Sequence, residues 1–199
     1  AAFMIQNVLA ATLAAYLEGL STEDIKFGLT SFVPGTAQTP GRLNLIEVGD
    51  FKVLIDFAHN PAGMEALSKF VDKFPNKVKI GVVAGTGDRR DEDIIKLGSV
   101  IGKMFTKVVI RQDDNLRGRS SADEISDLLL KGILKANPEI KHKVIADEVQ
   151  AIEFALSHTK KNELLVLLPD NIPRCIQIVN KFRESLNPVK VEHSDIPNQ

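Results

Sequence analysis

Hydrophobic and polar positions follow two rhythms along this chain, and the change comes near Gly41. Before it, residues 4–19 (Met-Ile-Gln-Asn-Val-Leu-Ala-Ala-Thr-Leu-Ala-Ala-Tyr-Leu-Glu-Gly) are good helix formers that end on a glycine stop. Ser21-Thr22-Glu23-Asp24 opens a second helix that runs to about Phe32, with Ile25, Leu29 and Phe32 on one side. Pro34, Gly35, Pro40 and Gly41 then interrupt a polar stretch that reads as a linker. Two helices of this size cannot bury their own apolar surface, so they must pack on something else.

After Gly41, short apolar runs alternate with stretches of helical period. Strands are expected near 43–48, 52–57, 78–84, 107–111, 143–146 and 164–168, and helices near 61–74, 91–105, 121–135, 147–158 and 171–185. Val48-Gly49-Asp50-Phe51 carries a hairpin signal, so one edge strand is antiparallel. Ile80-Gly81-Val82-Val83 and Leu164-Leu165-Val166-Leu167-Leu168 are unbroken apolar runs, as strands covered on both faces require. Strands alternating with helices give a parallel sheet built from right-handed crossovers. The expected fold class is α/β, a Rossmann-like, mostly parallel sheet of about six strands with one antiparallel edge strand, preceded by a helical pair.

Composition narrows the classes. With 44% hydrophobic and 26% charged residues, the 199-residue chain is an ordinary globular protein of one or two domains. A net charge of −1 argues against nucleic acid or an anionic membrane as partner. No apolar run reaches the roughly 18 residues of a membrane helix. Residues 8–20 resemble a signal peptide but lack a positively charged lead, so export is discounted and a cytoplasmic location is expected. The lone Cys175 permits no intrachain disulfide, suits a reducing compartment, and falls in a helical apolar pattern as a small buried thiol. Four scattered His residues and this Cys have no zinc-ligand spacing, so no metal site is expected. The chain opens Ala-Ala-Phe rather than with Met, as a piece of a longer protein would.

Candidate chemistry gathers in the loops that follow strands, where ligands of open α/β sheets bind. Those loops are Asp56–Asn60, Ala84–Asp91, Arg111–Ser120 and Pro169–Asn171. The second and third hold five of the eight arginines (Arg89, Arg90, Arg111, Arg117 and Arg119), a residue suited to bidentate grip of carboxylate or phosphate. The alternative is a charged loop whose Arg and Asp residues pair among themselves. Asn60 is a natural N-cap with Pro61 at the first helical position. Asp56 at a strand end suits hydrogen bonds to ribose hydroxyls. His59 is either an acid–base or metal partner of Asp56, or a histidine satisfied by backbone. Asp91, Glu92 and Asp93 complement the positive end of a helix, unless one of them, or Asp88, grips a cationic substrate. Gly85-Thr86-Gly87 lacks the third glycine of a dinucleotide fingerprint, Arg90 standing there instead, and no GxxxxGK[ST] string occurs.

Several strings in order, Gly41-Arg42, Asp56-Phe57-Ala58-His59-Asn60-Pro61, Gly85-Thr86-Gly87-Asp88-Arg89-Arg90-Asp91 and Asp114-Asn115-Leu116-Arg117-Gly118-Arg119, resemble the C-terminal domain of Mur-type ligases. Met4–Ala11 resembles the last helices of that family's central ATPase domain. The resemblance implies residues 1–39 as a helical remnant of the central domain plus linker, and 40–199 as the C-terminal domain. Pro40–Asn44, Asp56–Gly63 and Gly85–Ile94 are most similar to the cyanophycin synthetase branch. The family activates a carboxylate as an acyl phosphate with ATP and magnesium, then lets an amine attack to form an amide. The resemblance places Arg42 near the phosphates, Asp56 at the ribose, and His59 and Asn60 in the reaction cleft. Arg117 matches the arginine that grips a carboxylate of the incoming amino acid. Asp88, Arg89, Asp91 and Arg119 join it as candidate substrate contacts. In that branch arginine is joined to an aspartate side chain. ATP and magnesium would be bound mainly by the central domain. The implied partners are the rest of the parent ligase chain, an amino acid and a polypeptide acceptor, with a homo-oligomer at full length. The fragment alone is expected to fold but to be catalytically silent. Alternatives are another ligase of this type, including the folylpolyglutamate kind, which shares an Asp-x-Ala-His-Asn-Pro string, or a non-catalytic binding module.

Overall fold

The computed structural model describes residues 2–113 and 115–186; Asp114, which belongs to one of the strings above, lies outside the described residues. The elements are α1 (Ala2–Leu17), α2 (Thr22–Ser31), β1 (Asn44–Val48), β2 (Phe51–Ile55), α3 (Pro61–Val71), β3 (Lys79–Val83), α4 (Asp91–Met104), β4 (Lys107–Ile110), α5 (Ala122–Ala136), β5 (Lys141–Val144), α6 (Glu148–His158), β6 (Leu164–Leu167) and α7 (Ile172–Leu186). The six strands form one sheet in the order β1-β2-β6-β3-β4-β5, antiparallel at β1–β2 and parallel elsewhere. That is the mixed α/β sheet expected from the sequence.

The last strand in sequence lies in the middle of the sheet, between β2 and β3. Its Leu164 and Val166 enter the core under α3, α4 and α5, while Leu165 and Leu167 enter the core under α6 and α7. Every residue of β6 is therefore buried, which explains its unbroken apolar run. Cys175 is fully buried in the second core, as expected of a small apolar thiol, and burial with the nearby Glu148 pushes it up to about 12 despite Arg111.

Several boundaries depart from the pattern reading: β2 spans Phe51–Ile55 rather than 52–57, and α3 ends at Val71 rather than at 74. Leu43 stays outside β1 because its φ of +50° puts it in the left-handed region. α1 begins at Ala2, two residues before the expected start. β5 spans Lys141–Val144 rather than 143–146: all four residues are exposed on the sheet edge, so there is no apolar alternation to mark it. Its register instead comes from pairing Lys107 with Lys141 and Ile110 with Val144. None of the described helices is long and apolar enough to cross a membrane. α1 leaves Ile5, Leu9, Leu13, Tyr16 and Leu17 exposed, and α2 buries no residue.

α4 and α5 cross through glycines. A Cβ on Gly132 would overlap the carbonyl of Ile95, and one on Gly98 the carbonyl of Leu129. Both obstacles are backbone and cannot swing aside. Alanine is the better helix former by about 1 kcal/mol, yet Gly132→Ala is expected to destabilise the fold by about 1–3 kcal/mol through overpacking. Chemical denaturation of the two proteins checks this; a stabilised variant contradicts the close crossing.

Candidate functional site

The carboxyl ends of β2, β6, β3 and β4 open on one rim, so all four expected loops do lie together. At its β2 end the rim is built on Asp56. The Asp56 backbone N–H extends the ladder to the Leu167 carbonyl at 3.1 Å, and the side chain is 8% exposed. One carboxylate oxygen accepts the Leu43 N–H at 3.0 Å and the other accepts the Ala58 N–H at 2.9 Å. Burial is the stronger influence and raises its pKa above the ordinary 3.8, against those N–H donors and the Arg42 charge.

The same bond pins the Gly41–Asn44 turn. Gly41 has a φ of +72° and sits so close to Ile172 that a Cβ would fall 2.6 Å from Ile172 Cδ1, both of which favour glycine. Buried Asn44 accepts the Gly41 N–H at 2.6 Å and donates to the Thr39 carbonyl at 2.9 Å. The Gly41 carbonyl in turn accepts the Phe57 N–H at 3.0 Å. Arg42 is thereby held at the tip, exposed, its guanidinium 5.7 Å from the centre of the Phe57 ring.

Beyond Asp56 the chain turns into α3. Asn60 Oδ1 accepts the Gly63 N–H at 2.8 Å and Pro61 is the first helical residue, both as the sequence indicates. His59 is exposed, with Nδ1 3.0 Å from the Phe57 carbonyl and its ring 5.0 Å from the Phe57 ring. It is thus satisfied by backbone, and Asp56 spends its oxygens on the main chain. Arg42, Asp56, His59 and Asn60 line a cleft of about 380 Å³ whose far wall includes Met4 and Asn7 of α1. Sequence reasoning did not place Met4 and Asn7 there; only their lying in one helix before the linker hinted at it.

The loops after β3 and β4 hold the second group, and here the arginines pair with neighbouring acids. Arg117 lies 3.5 Å from Asp88 and 3.7 Å from Asp113, with a φ of +48°. Arg89 reaches Asp88 at 3.8 Å, and Arg90 bonds Asp93 at 2.9 Å. Slight burial works to raise Asp88, but Arg89 and Arg117 outweigh it and hold the carboxyl below its ordinary range. Arg119 binds Asp91 at 2.7 Å, Glu124 at 2.8 Å and the carbonyls of Gly87 and Arg89 at 3.2 and 2.5 Å. Arg119 and Asp91 therefore tie two loops and a helix start to one another.

Arg111 stands between the two groups, buried, and donates to the Leu168 carbonyl at 3.0 Å and to Asp170 at 3.0 Å, with Glu148 at 3.3 Å. β6 leads to α7 on one face while its neighbours β2 and β3 lead to α3 and α4 on the other, which opens a crevice at the end of β6. Arg111, Asp170, Thr86 and His59 close that crevice to about 10 Å³, room for a single water. No three His, Cys, Asp or Glu side chains come together for a metal among the described residues.

Asparagine at position 56 offers one acceptor to two N–H donors, so Asp56→Asn strands either Leu43 or Ala58. Amide exchange at these two positions measures the outcome: a loss of about 1–3 kcal/mol of local stability is expected, with β6 amides unchanged. The folded Asp56 binds a proton more tightly than the unfolded one, so wild-type stability gains a downward slope as pH rises through the window above 3.8. The Asn variant lacks that slope in pH-dependent denaturation.

Comparison with known proteins places this geometry. The profile described as "Mur ligase, glutamate ligase domain" matches residues 41–171. Cyanophycin synthetase of Crocosphaera subtropica is 44% identical over 181 residues, covering 91% of this chain and 20% of that protein. A UDP-N-acetylmuramoyl-L-alanyl-D-glutamate--2,6-diaminopimelate ligase of Caldanaerobacter subterraneus is 30% identical over 166 residues, covering 83% of this chain and 33% of that protein. In fold, E. coli FolC in complex with DHPP and ADP superposes with a TM-score of 0.66 at 20% identity, over 89% of this chain and 39% of that one. The chain thus spans about a fifth of the length of its cyanophycin synthetase relatives. With the profile running from the Gly41 turn to the Asn171 loop, the chain belongs to the family of Mur ligase glutamate ligase domains.

Proposed function

We propose that this chain is the nucleotide- and substrate-closing C-terminal domain of an ATP-dependent acid–amino-acid ligase, one that adds arginine to aspartate side chains. The observation that carries the nucleotide side is the cleft of Arg42, Asp56, His59 and Asn60 against α1, at the carboxyl end of a parallel sheet. The 42–44% identity to several cyanophycin synthetases supports the choice of substrates. Residues 1–39 form, in this reading, the end of the central domain, and the apolar side of α1 is covered by the rest of that domain in the parent chain.

The residues present suit a nucleotide. Arg42 is exposed and makes no ion pair among the described residues, which leaves its fork free for phosphate oxygens. Each Asp56 oxygen holds one N–H and keeps a lone pair for a ribose hydroxyl. ATP with magnesium supplies the driving force for amide formation, and magnesium is held mainly by the central domain. Asn60 fixes the first turn of α3 beside the cleft, and His59 stands exposed at its mouth, where it meets the reacting groups. Across the rim, Arg117 releases its long contacts to Asp88 and Asp113 to take the carboxylate of the incoming amino acid. Arg89 and Asp88 flank it, while Arg119 with Asp91 keeps the loops in place. Closure of this domain on the central one excludes water and assembles the site. A cytoplasmic homo-oligomer is the natural setting for the full-length enzyme.

Incubation of the 199-residue chain with ATP, magnesium, arginine and an aspartate-rich acceptor is expected to release no phosphate above a protein-free blank; robust turnover contradicts the need for a second domain. In the full-length parent, Arg42→Ala is expected to lower kcat/KM for ATP about 10²-fold. A parent enzyme indifferent to that change shows the cleft to be a scaffold rather than a nucleotide site.

A further inference from the structure

Two buried polar atoms on the rim have no hydrogen-bond partner among the described residues, Thr86 Oγ1 and Asp113 Oδ2. Their residues are 7% and 8% exposed, so bulk water does not serve them. Val83 of β3 is paired with Ile110 of β4, and Thr86 and Asp113 each stand three residues beyond that pair. They occupy matching places on adjacent loops, with strands about 5 Å apart. The loops touch, since a Cβ on Gly87 would overlap the Leu116 carbonyl. Thr86 lies near enough to Asp88 to help lower its carboxyl, yet no atom meets its hydroxyl at hydrogen-bond geometry.

Asp113 Oδ1 is occupied by the Asn115 N–H at 2.9 Å. Among the described residues Oδ2 has only Arg117 Nε, at 3.7 Å, too long for a charge-assisted hydrogen bond. A buried carboxylate oxygen without a donor is costly, and a fold keeps one where something else supplies the donor.

We infer that Asp113, with the Thr86 hydroxyl on the neighbouring loop, is the charge-selecting group of the incoming amino-acid subsite and takes a cationic side chain. This rests on the ligase reading above and deepens it. A guanidinium or ammonium group presents the donors that Oδ2 lacks, and Thr86 Oγ1 accepts a further N–H. Its arrival displaces Arg117 from Asp113, and the freed guanidinium meets the carboxylate of the same amino acid. One exchange of partners thus recognises both charges of a basic amino acid, and a neutral side chain leaves Oδ2 as it was.

The test uses the full-length parent ligase with arginine and its neutral isostere citrulline. Asp113→Asn keeps the bond to Asn115 and the shape of the side chain. It is expected to lower kcat/KM for arginine about 30-fold or more, with citrulline turnover and the KM for ATP unchanged. Equal loss for arginine and citrulline reveals a structural role and overturns the assignment, as does no loss at all. If that variant does not fold, Thr86→Val serves, with an arginine-only loss of about 5-fold expected and an equal loss for both substrates overturning it. A wild-type enzyme that turns over neutral but not basic amino acids refutes the charge selection and leaves the ligase reading intact. A wild-type enzyme without amino-acid-dependent phosphate release refutes both.

Discussion

The carboxylate of Asp56 joins two segments that the chain separates by a hairpin, and the β2 end of the rim takes its shape from that junction. Its two oxygens hold the Leu43 and Ala58 N–H groups, one from the Gly41–Asn44 turn and one from the strand's own continuation. Burial opposes the charge, as the raised pKa records. The fold accepts that cost because the alternative is two buried N–H groups without acceptors. Asn44 completes the junction from beneath by bonding Gly41 and Thr39. Arg42, between two residues in left-handed backbone, has little freedom left except along its side chain. The point from which its side chain springs is therefore set by backbone, the kind of support a ligand-binding arginine needs.

Helix dipoles account for much of the charge distribution. Every crossover helix starts at the carboxyl rim, and α4, α5 and α6 open with Asp91-Glu92-Asp93, Asp123-Glu124 and Glu148. Those acids bring negative charge to the rim, and the arginines of the adjoining loops answer it. Arg119 with Asp91 and Glu124, and Arg111 with Glu148, are such answers. At the opposite rim the helices end, and Lys69, Lys103 and Lys135 lie in the last turns of α3, α4 and α5. Clustered arginine on one rim is thus first a consequence of topology. Only the residues left loosely held, Arg42, Arg89 and Arg117, remain for a ligand.

This explains what was legible in the sequence. Leu164–Leu168 and Ile80–Val83 announce central strands because burial on both faces demands an unbroken apolar run. Asn60-Pro61 and Ser121 announce helix starts because capping is local chemistry: Asn60 bonds Gly63 and Ser121 bonds Glu124. The Gly49-Asp50 turn is visible for the same reason. The left-handed Leu43 was not legible, since a non-glycine residue adopts that backbone only where Asp56 and Asn44 enforce it. The edge strand β5 has no buried face to write a pattern. The partners of the rim arginines, the open oxygen of Asp113 and the place of Asn7 in the cleft are facts of tertiary contact, with separations in sequence that no local pattern spans.

The two groups of site residues are separated by the same topology that gathers them. From β2 to β4 the rim crosses β6 and β3, three strand spacings or about 14 Å. Arg42 and Arg117, the two grips of the proposed reading, are then too far apart to act on one bond as they stand. Between them the crevice at the end of β6, where a ligand of this sheet type ordinarily sits, is filled by Arg111 and its bonds to Leu168 and Asp170. Glu148 accepts the N–H groups of Asp170 and Asn171 and so locks the same loop. The middle of the rim is a brace, and the candidate site residues stand to either side of it. Such a surface holds two candidate grips at fixed spacing. In the ligase reading proposed above, a carboxylate and an amine held from a second domain would meet over this brace.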